Sequence, residues 1–166
     1  MKVNKEIYVQ QIFSSIAKRY DFLNSLLSLN LDRSWREFAV QLSGASTDSS
    51  VLDVCAGTGE LAAAYAEAIG QHASVLSTDF CFSMLAVGQE KFKNRSTSFF
   101  IPIGADTLSL PFQDDTFEIV SVGFGIRNVS HLQKGISEMI RVTIPGGRVV
   151  VLEFTQPAVP VIKHAY

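Results

Sequence analysis

A glycine-rich turn directly after an apolar stretch at residues 51–55 carries the strongest chemical pattern in the sequence. Residues 57–62 fit a loose G-x-G-x-x-A fingerprint, which on its own is a weak signal for a dinucleotide site. Gly57 and Gly59 allow a ligand to approach the backbone closely and tolerate unusual φ angles. Because ligands of open α/β sheets bind beyond the carboxyl ends of strands, we expect Gly57, Thr58 and Gly59 to hold a ligand.

Two acids further along the chain indicate an adenosine ligand. Asp79 ends the second predicted strand, 20 residues after Gly59, where a carboxylate can accept hydrogen bonds from both ribose hydroxyls. Asp106 follows the third predicted strand and could accept from the adenine amino group, with Thr107 beside it. The structural alternatives are an Asp79 that caps the next helix and an Asp106 that makes a loop turn.

Asp53 separates a methyl donor from a nicotinamide cofactor. It lies inside the first strand, before the glycines, where it would repel a diphosphate. S-adenosylmethionine has no phosphate and carries a sulfonium and an ammonium group, so an acid favours it. The helical stretch that precedes the first strand also suits a transferase. An NAD-dependent oxidoreductase is the alternative, and titration with NAD and S-adenosylhomocysteine would discriminate between the two.

The elements that position these residues fall into two regimes. Residues 1–48 show helical apolar periodicity and predict an N-terminal helical lid, with Asp32 as N-cap of a helix over 33–42. Residues 49–166 alternate strands and helices, which predicts a Rossmann-like, doubly wound α/β sheet with parallel strands. The expected strands are 51–55, 73–78, 97–101, 117–122 and 148–154, and the expected helices are 61–69, 83–92 and 132–142.

Composition excludes several other classes of protein. The 166 residues carry a formal net charge of −2, without the basic face that a nucleic-acid-binding protein needs. The two cysteines form no CxxC pair and no histidine stands at metal-ligand spacing, so we expect no metal site. A signal core and an apolar run of roughly 20 residues are both missing. The sequence predicts a cytoplasmic protein, with peripheral contact at the inner face of the membrane left open.

Several segments together resemble the C-methyltransferase family of ubiquinone and menaquinone biosynthesis. They are residues 20–28, Trp35 at the expected distance after them, residues 123–128 (Gly-Phe-Gly-Ile-Arg-Asn), residues 141–148 and residues 152–155. The chain departs from the family pattern at four places. Asp32 stands where the family commonly has His, Thr143-Ile144 where it has Leu-Lys, Thr155 where it often has Ser, and Gly123 at a cofactor contact that is Ser in some members.

The resemblance implies a class I methyltransferase fold and transfer of a methyl group from S-adenosylmethionine to a ring carbon of a prenylated quinol. Demethylmenaquinol is the expected acceptor, with a ubiquinol precursor as a second one. That fold has seven strands and we count five, so we expect an incomplete domain that lacks the C-terminal strand hairpin. An inactive cofactor-binding module is therefore an alternative, and a homo-oligomer is a further expectation.

The implied chemistry assigns roles to a few polar residues. A ring carbon becomes nucleophilic when the adjacent hydroxyl loses its proton, and Arg127 is the candidate that stabilises the resulting phenolate. Asn128 would hold the loop or a hydroxyl, and Tyr20 would close over the donor from the lid. Glu153, at the end of the fifth strand, is a candidate base. Cys55 is interpreted as a small buried filler, because no histidine partner is evident.

Overall fold

The computed structural model describes residues 5–70, 74–94 and 99–154. Its helices are α1 (Lys5–Ile16), α2 (Tyr20–Leu27), α3 (Leu31–Ser43), α4 (Glu60–Ile69), α5 (Phe82–Phe92) and α6 (Leu132–Arg141). Its strands are β1 (Val51–Val54), β2 (Val75–Asp79), β3 (Phe100–Gly104), β4 (Phe117–Gly123) and β5 (Thr143–Leu152). The alternation of strands and helices after residue 49 confirms the predicted α/β class.

The five strands form one sheet in the order β3-β2-β1-β4-β5, and every adjacent pair is parallel. The order reverses between β1 and β4, where Val54 pairs with Val122. The connections that leave these two strands run to opposite faces of the sheet and open a crevice at their carboxyl ends. The glycine turn after β1 and the 123–128 loop after β4 therefore lie side by side.

Hydrophobic cores on both faces hold the sheet in place. All four residues of β1 are buried. One cluster joins Val51 and Ile119 to Leu61 and Tyr65 of α4, and the other joins Leu52 and Val120 to side chains that include Met139 of α6. Strands covered on both sides read as continuous apolar runs, which is why the sequence pattern located β1 and β4 accurately.

The third and fifth strands differ from their expected ranges by three residues or more. The third strand runs from Phe100 to Gly104 instead of 97–101. It includes Pro102, because the outer side of an edge strand needs no backbone N–H donors for pairing. The fifth begins at Thr143, with a register shift against β4 that absorbs the expected turn at Pro145-Gly146 as a bulge. Residues 73, 97, 98 and 155–166, including Thr155 of the family pattern, lie outside the described residues.

The prediction that Asp32 caps a helix is wrong. The helix α3 begins at Leu31, and its N-cap is Asn30, with a left-handed φ of 64° and no side-chain cap bond. The Asp32 carboxylate instead accepts hydrogen bonds from the Ser28 hydroxyl at 2.7 Å and from the Arg36 guanidinium at 2.8 Å. A cation one turn away is a stronger partner than a helix N–H, since a charge-assisted bond outweighs a neutral one.

The N-terminal helices cover the sheet unevenly. The helix α3 packs on α4 and β5, its residue Val40 belongs to the main core, and Arg148 of β5 donates to the Ser43 carbonyl at 2.6 Å. In contrast, α2 buries no residue completely. Large apolar side chains stay exposed along α2 and α3, a set called here the lid face: Phe22, Leu26, Leu27, Leu29, Leu31 and Phe38.

The glycines of two helices should respond oppositely to alanine. At Gly88 in α5, an added Cβ would lie 2.9 Å from the Thr58 backbone oxygen in the glycine turn and 2.9 Å from the Phe100 ring. Gly88→Ala should therefore destabilise the fold by about 1–3 kcal/mol despite the better helix propensity of alanine. Denaturant unfolding measures the change.

The matched control is Gly135→Ala in α6, where the nearest atoms to an added Cβ lie at 3.4 Å. This substitution should stabilise the protein by about 0.4–1 kcal/mol, because alanine loses less backbone entropy on folding. Equal effects of the two substitutions would contradict the packing argument.

Candidate active site

Three adjoining cavities open at the carboxyl edge of the sheet. The first is bounded by Gly57, Asp79, Met84, Gly123 and Asn128, among others, and the second by Arg36, Asp53, Gly57, Thr58 and Gly123. The third, of about 310 Å³, lies under the lid and is bounded by Tyr20, Leu27, Trp35, Arg36, Phe124, Arg127 and Phe154. Tyr20 and Phe124 line all three, so the cavities adjoin one another around these two side chains.

Asp79 ties the glycine turn to the start of α5. One carboxylate oxygen accepts the Gly57 backbone N–H at 2.9 Å and the other accepts the Cys81 backbone N–H at 2.7 Å. Burial raises the pKa of Asp79 above its ordinary value, and the two N–H donors oppose this. Each carboxylate oxygen has a further lone pair for a ligand in the first cavity. The bond to the Cys81 N–H lies before α5 begins at Phe82, so Asp79 does not cap that helix. Asp79 does line the first cavity, and its ribose role stays a prediction.

Asp53 is a buried acid without a close partner. Its side chain is 0% exposed, and neither carboxylate oxygen makes a hydrogen bond of ordinary geometry with the described residues. Burial, helped by repulsion from Asp79, raises the pKa of Asp53 to about 8, although Arg36 and the Ala62 N–H oppose the change. Leaving an acid in this state is costly. A cation bound in the second cavity would remove the cost.

The lid is anchored to the glycine turn by a small polar network. The Thr58 hydroxyl donates to the Asp21 carboxylate of α2. Lys91 of α5 bridges Asp21 at 2.8 Å and Glu60 at 2.7 Å. Gly59 has a φ of +82°, and an added Cβ would lie 2.6 Å from the Phe100 ring. Gly59 does not line the three cavities described above, and its contact with a cofactor stays a prediction.

The third cavity has aromatic walls and a cationic rim. Phe124 and Phe154 stack with ring centroids 4.9 Å apart, and Trp35 meets Phe154 edge-on at 5.6 Å. The Arg127 guanidinium lies 5.3 Å from the Phe154 ring and 3.2 Å from a Glu153 carboxylate oxygen. The remaining wall of the cavity is polar, with the side chains of Asn24, Ser28, Asp32 and Arg36. Apolar walls combined with placed polar groups are typical of a small-molecule site.

Phe124 holds its place by an unusual backbone. Its φ of 59° is in the left-handed region, which a bulky residue enters only where its surroundings enforce it. The Phe124 N–H donates to the Leu152 carbonyl at 2.8 Å, and at neighbouring Gly125 an added Cβ would lie 2.4 Å from Cys55. The loop after β4 therefore presents Phe124 between the cavities, sends Asn128 to the first cavity and Arg127 to the third.

Two residues of the predicted adenine site do not line the described cavities. Asp106 is exposed and accepts the Leu108 N–H at 2.9 Å, the loop turn expected as its alternative. Thr107 is buried with its hydroxyl 3.2 Å from the Cys55 sulfur. Burial raises the pKa of Cys55 to about 12, so its thiol is neutral and a poor nucleophile. Adenine contacts of Asp106 and Thr107 stay predictions.

Sequence reasoning missed the residues that join the cavities. Arg36 lines the second and third cavities, and its i,i+4 spacing from Asp32 was a readable signal for an ion pair. Trp35 was seen only as a family position, and Phe124 only as part of a motif. Within the described ranges, no group of three or more acidic, cysteine or histidine side chains could hold a metal, and no helix has the length and apolarity to cross a membrane.

The fold and the site together define a class I S-adenosylmethionine-dependent methyltransferase. The features that define it are a parallel sheet in 3-2-1-4-5 order, a glycine turn after β1 and an acid at the end of β2. The donor fits the residues present, because the uncompensated carboxylate of Asp53 suits an ammonium or sulfonium group and would repel a diphosphate.

The chain belongs to the ubiE/COQ5 methyltransferase family, whose sequence model matches residues 1–166. It is 41% identical to the demethylmenaquinone methyltransferase of Shouchella clausii, over all of this chain and 71% of that protein. It is 38% identical to the ubiquinone/menaquinone biosynthesis C-methyltransferase UbiE of Pectobacterium atrosepticum, over 99% of this chain and 66% of that protein. The chain thus spans about two thirds of the length of these relatives.

Solved structures with low sequence identity share the fold. The [4+2]-cyclase SpnF superposes with a TM-score of 0.75 at 20% identity, over 90% of this chain and 61% of that one. A SAM-dependent methyltransferase from Aquifex aeolicus has a TM-score of 0.67 at 19% identity, over 75% of this chain and 66% of that one. Because the chain belongs to a methyltransferase family, the comparisons give no support to the alternative of an NAD-dependent oxidoreductase.

The ionisation of Asp53 should make the stability of the ligand-free protein depend on pH. Its carboxyl has a pKa of about 3.9 when unfolded and of about 8 when folded. The unfolded chain therefore ionises first, and stability due to this group is complete below about pH 4 and lost progressively up to about pH 8. Asp53→Asn should flatten this slope in denaturant unfolding at several pH values. Asp48→Asn, at an exposed turn, is the control, and an unchanged slope in Asp53→Asn would contradict the assignment.

The ribose role proposed for Asp79 predicts a loss of cofactor affinity on truncation. Asp79→Ala should weaken S-adenosylmethionine binding by about 1–3 kcal/mol, the usual cost of leaving polar partners unpaired. Titration calorimetry measures the affinity. Circular dichroism checks that the Asp79→Ala protein still folds without its contacts to Gly57 and Cys81. Unchanged affinity in a folded Asp79→Ala protein would refute the ribose assignment.

Proposed function

We propose that this chain transfers a methyl group from S-adenosylmethionine to a ring carbon of a prenylated quinol. Demethylmenaquinol is the acceptor we favour, and a prenylated benzoquinol precursor of ubiquinol is the second. The observation that carries the proposal is that Tyr20 and Phe124 line an aromatic third cavity as well as the first and second cavities, which contain the acids Asp79 and Asp53. The names of the relatives from Shouchella clausii and Pectobacterium atrosepticum support the acceptor class.

The residues of the first two cavities would hold the donor. S-adenosylmethionine, when bound, supplies an electrophilic methyl group on a sulfonium centre. Asp79 would accept the ribose hydroxyls, while Asp53 would balance the positive charge of the amino-acid end. Gly57 and Gly123 keep the backbone accessible, and Asn128 would hold the loop after β4 beside the ligand. Thr58 contributes by anchoring the lid through Asp21.

The third cavity would bind the acceptor ring and activate it. Trp35, Phe124 and Phe154 present aromatic surfaces to a flat ring and exclude water, which strengthens electrostatic interactions inside. The Arg127 guanidinium keeps its charge at every relevant pH and would stabilise a phenolate oxygen. The walls of the third cavity would hold the ring carbon in line with the methyl group, and Tyr20 would lie between donor and acceptor.

Glu153 supplies a candidate route for the phenol proton. One of its oxygens lies 3.2 Å from Arg127 and accepts the Phe154 N–H, while the other is buried and has no hydrogen-bond partner among the described residues. The hydroxyl oxygen of an incoming quinol would compete with Glu153 for Arg127. The carboxylate could then accept the proton directly or through water, so that Arg127 and Glu153 act as a pair.

The lid face supports a proposal for how a lipid-like substrate reaches the cavity. Leu27 is 82% exposed and also lines the third cavity, so the cavity opens toward exposed apolar side chains. A contiguous apolar surface of this kind marks an interaction site. We infer a cytoplasmic protein that touches the inner face of the membrane through the lid face while the prenyl tail stays in lipid.

A methyl-transfer assay tests the function. The purified chain is incubated with isotopically labelled S-adenosylmethionine and a reduced prenylated naphthoquinol or benzoquinol, and products are identified by mass. Label on a ring carbon supports the proposal. Cofactor binding without transfer to either quinol would contradict it and favour the inactive binding module.

Arg127 should affect the rate more than cofactor affinity. Arg127→Ala should lower the transfer rate by about 100-fold or more, in the range lost when one transition-state donor is removed, and leave S-adenosylmethionine affinity within about twofold. Arg127→Lys, which keeps the charge without the planar fork, should recover part of the rate. Equal loss of rate and cofactor affinity would make Arg127 a binding residue.

Charges on the lid face should weaken membrane contact. Leu26→Glu/Leu29→Glu should reduce sedimentation with phosphatidylethanolamine–phosphatidylglycerol vesicles several-fold, because glutamate cannot enter the apolar boundary without large cost. Leu132→Glu, on exposed α6, is the matched control and should not change sedimentation. If the wild type and the double variant sediment with vesicles to the same extent, the membrane proposal is wrong. Light scattering of the same samples tests the expected homo-oligomer.

A further inference from the structure

We propose that Arg36 binds the carboxylate of the methionine end of S-adenosylmethionine, and that Asp32 positions its guanidinium for this. The proposal deepens the proposed function and rests on the same donor. It gives a role to the polar end of the second cavity. Neither the glycine turn nor Asp79 offers a positively charged partner for an anion there. Arg36 would thus be a residue that selects the amino-acid end of the donor.

Arg36 is a buried cation with unused donors. The residue is 8% exposed, and its Nη1 donates to Asp32 at 2.8 Å. Within residues 5–70, 74–94 and 99–154, its other two guanidinium nitrogens have no hydrogen-bond partner, while its side chain lines the second cavity. The Phe124 ring lies 5.9 Å away and covers one side of the group. Free N–H groups of a nearly dry guanidinium are strong sites for a carboxylate.

The second cavity carries charges that match a zwitterion. Asp53 and Arg36 both line it, and the Asp53 carboxylate is fully buried without a hydrogen-bond partner. An ammonium group beside Asp53 and a carboxylate beside Arg36 would satisfy both residues at once. A ligand with only one of the two charges would leave the other residue uncompensated, which is costly in a dry site. The methionine end of the donor has both charged groups on the same carbon atom.

Asp32 is the positioning residue of this arrangement. It lies one helical turn before Arg36 on α3, and its second oxygen accepts the Ser28 hydroxyl at 2.7 Å. The ion pair fixes one edge of the guanidinium and leaves the other nitrogens for a ligand. A buried ion pair alone adds little net stability, so a binding role explains its position better than a structural one.

The test compares two ligands that differ only at the amino-acid end. S-adenosylhomocysteine has the ammonium and the carboxylate, and 5′-methylthioadenosine lacks both. Titration calorimetry of wild type, Arg36→Met and Arg36→Lys should show that Arg36→Met weakens S-adenosylhomocysteine about 10- to 100-fold, as expected for a lost charge-assisted bond. The affinity for 5′-methylthioadenosine should change less than about threefold, and Arg36→Lys should be intermediate.

The double variant Asp32→Asn/Arg36→Met guards against misfolding, since it leaves no lone buried charge. It should show the same selective loss with an unchanged thermal transition. Equal weakening of both ligands, or unchanged binding of S-adenosylhomocysteine, overturns the proposal. If transfer falls while S-adenosylhomocysteine binding is intact, Arg36 acts on the acceptor in the third cavity instead. If wild type binds neither ligand, the donor assignment itself fails.

Discussion

A single carboxylate, that of Asp53, imposes the main constraint on this molecule. It stands in the central strand β1 beside Val51, Leu52 and Val54 of the two cores, and neither of its oxygens has a hydrogen-bond partner among the described residues. Burial keeps its pKa near 8, so the ligand-free site is not at its electrostatic optimum. The cost of ionising this carboxyl group falls when a cationic ligand binds in the cavity at which the strand ends.

The rest of the site follows from where β1 ends. Reversal of strand order places the loop after β4 beside the glycine turn, and Phe124 of that loop then separates the donor side from the acceptor side. Asp21 attaches the helix α2 to the glycine turn and to α5, because its carboxylate contacts both Thr58 and Lys91. Closing the lid and ordering the glycine turn are therefore coupled through the same few polar groups, although α2 itself buries little apolar surface.

Much of the fold could be predicted because its signals are local. Buried parallel strands read as apolar runs, so β1 and β4 were located within a residue or two, and the glycine turn and Asp79 followed from their positions after strands. Boundaries failed where tertiary context changes a local rule. Pro102 is accepted because β3 is an edge strand, and Pro145-Gly146 forms a bulge inside β5 because β4 continues to pair on both sides of it.

By itself, the sequence determined the α/β class, the order of its elements, the glycine turn and the position of Asp79 at the end of the second strand. These features depend on periodicity and on spacing along the chain. Only the tertiary structure decided that Asp53 has no partner, that Asp32 pairs with Arg36 instead of capping α3, and that Arg127 and Asn128 face different cavities. Burial, ion pairing and side-chain direction depend on residues far apart in the chain, which no local pattern can specify.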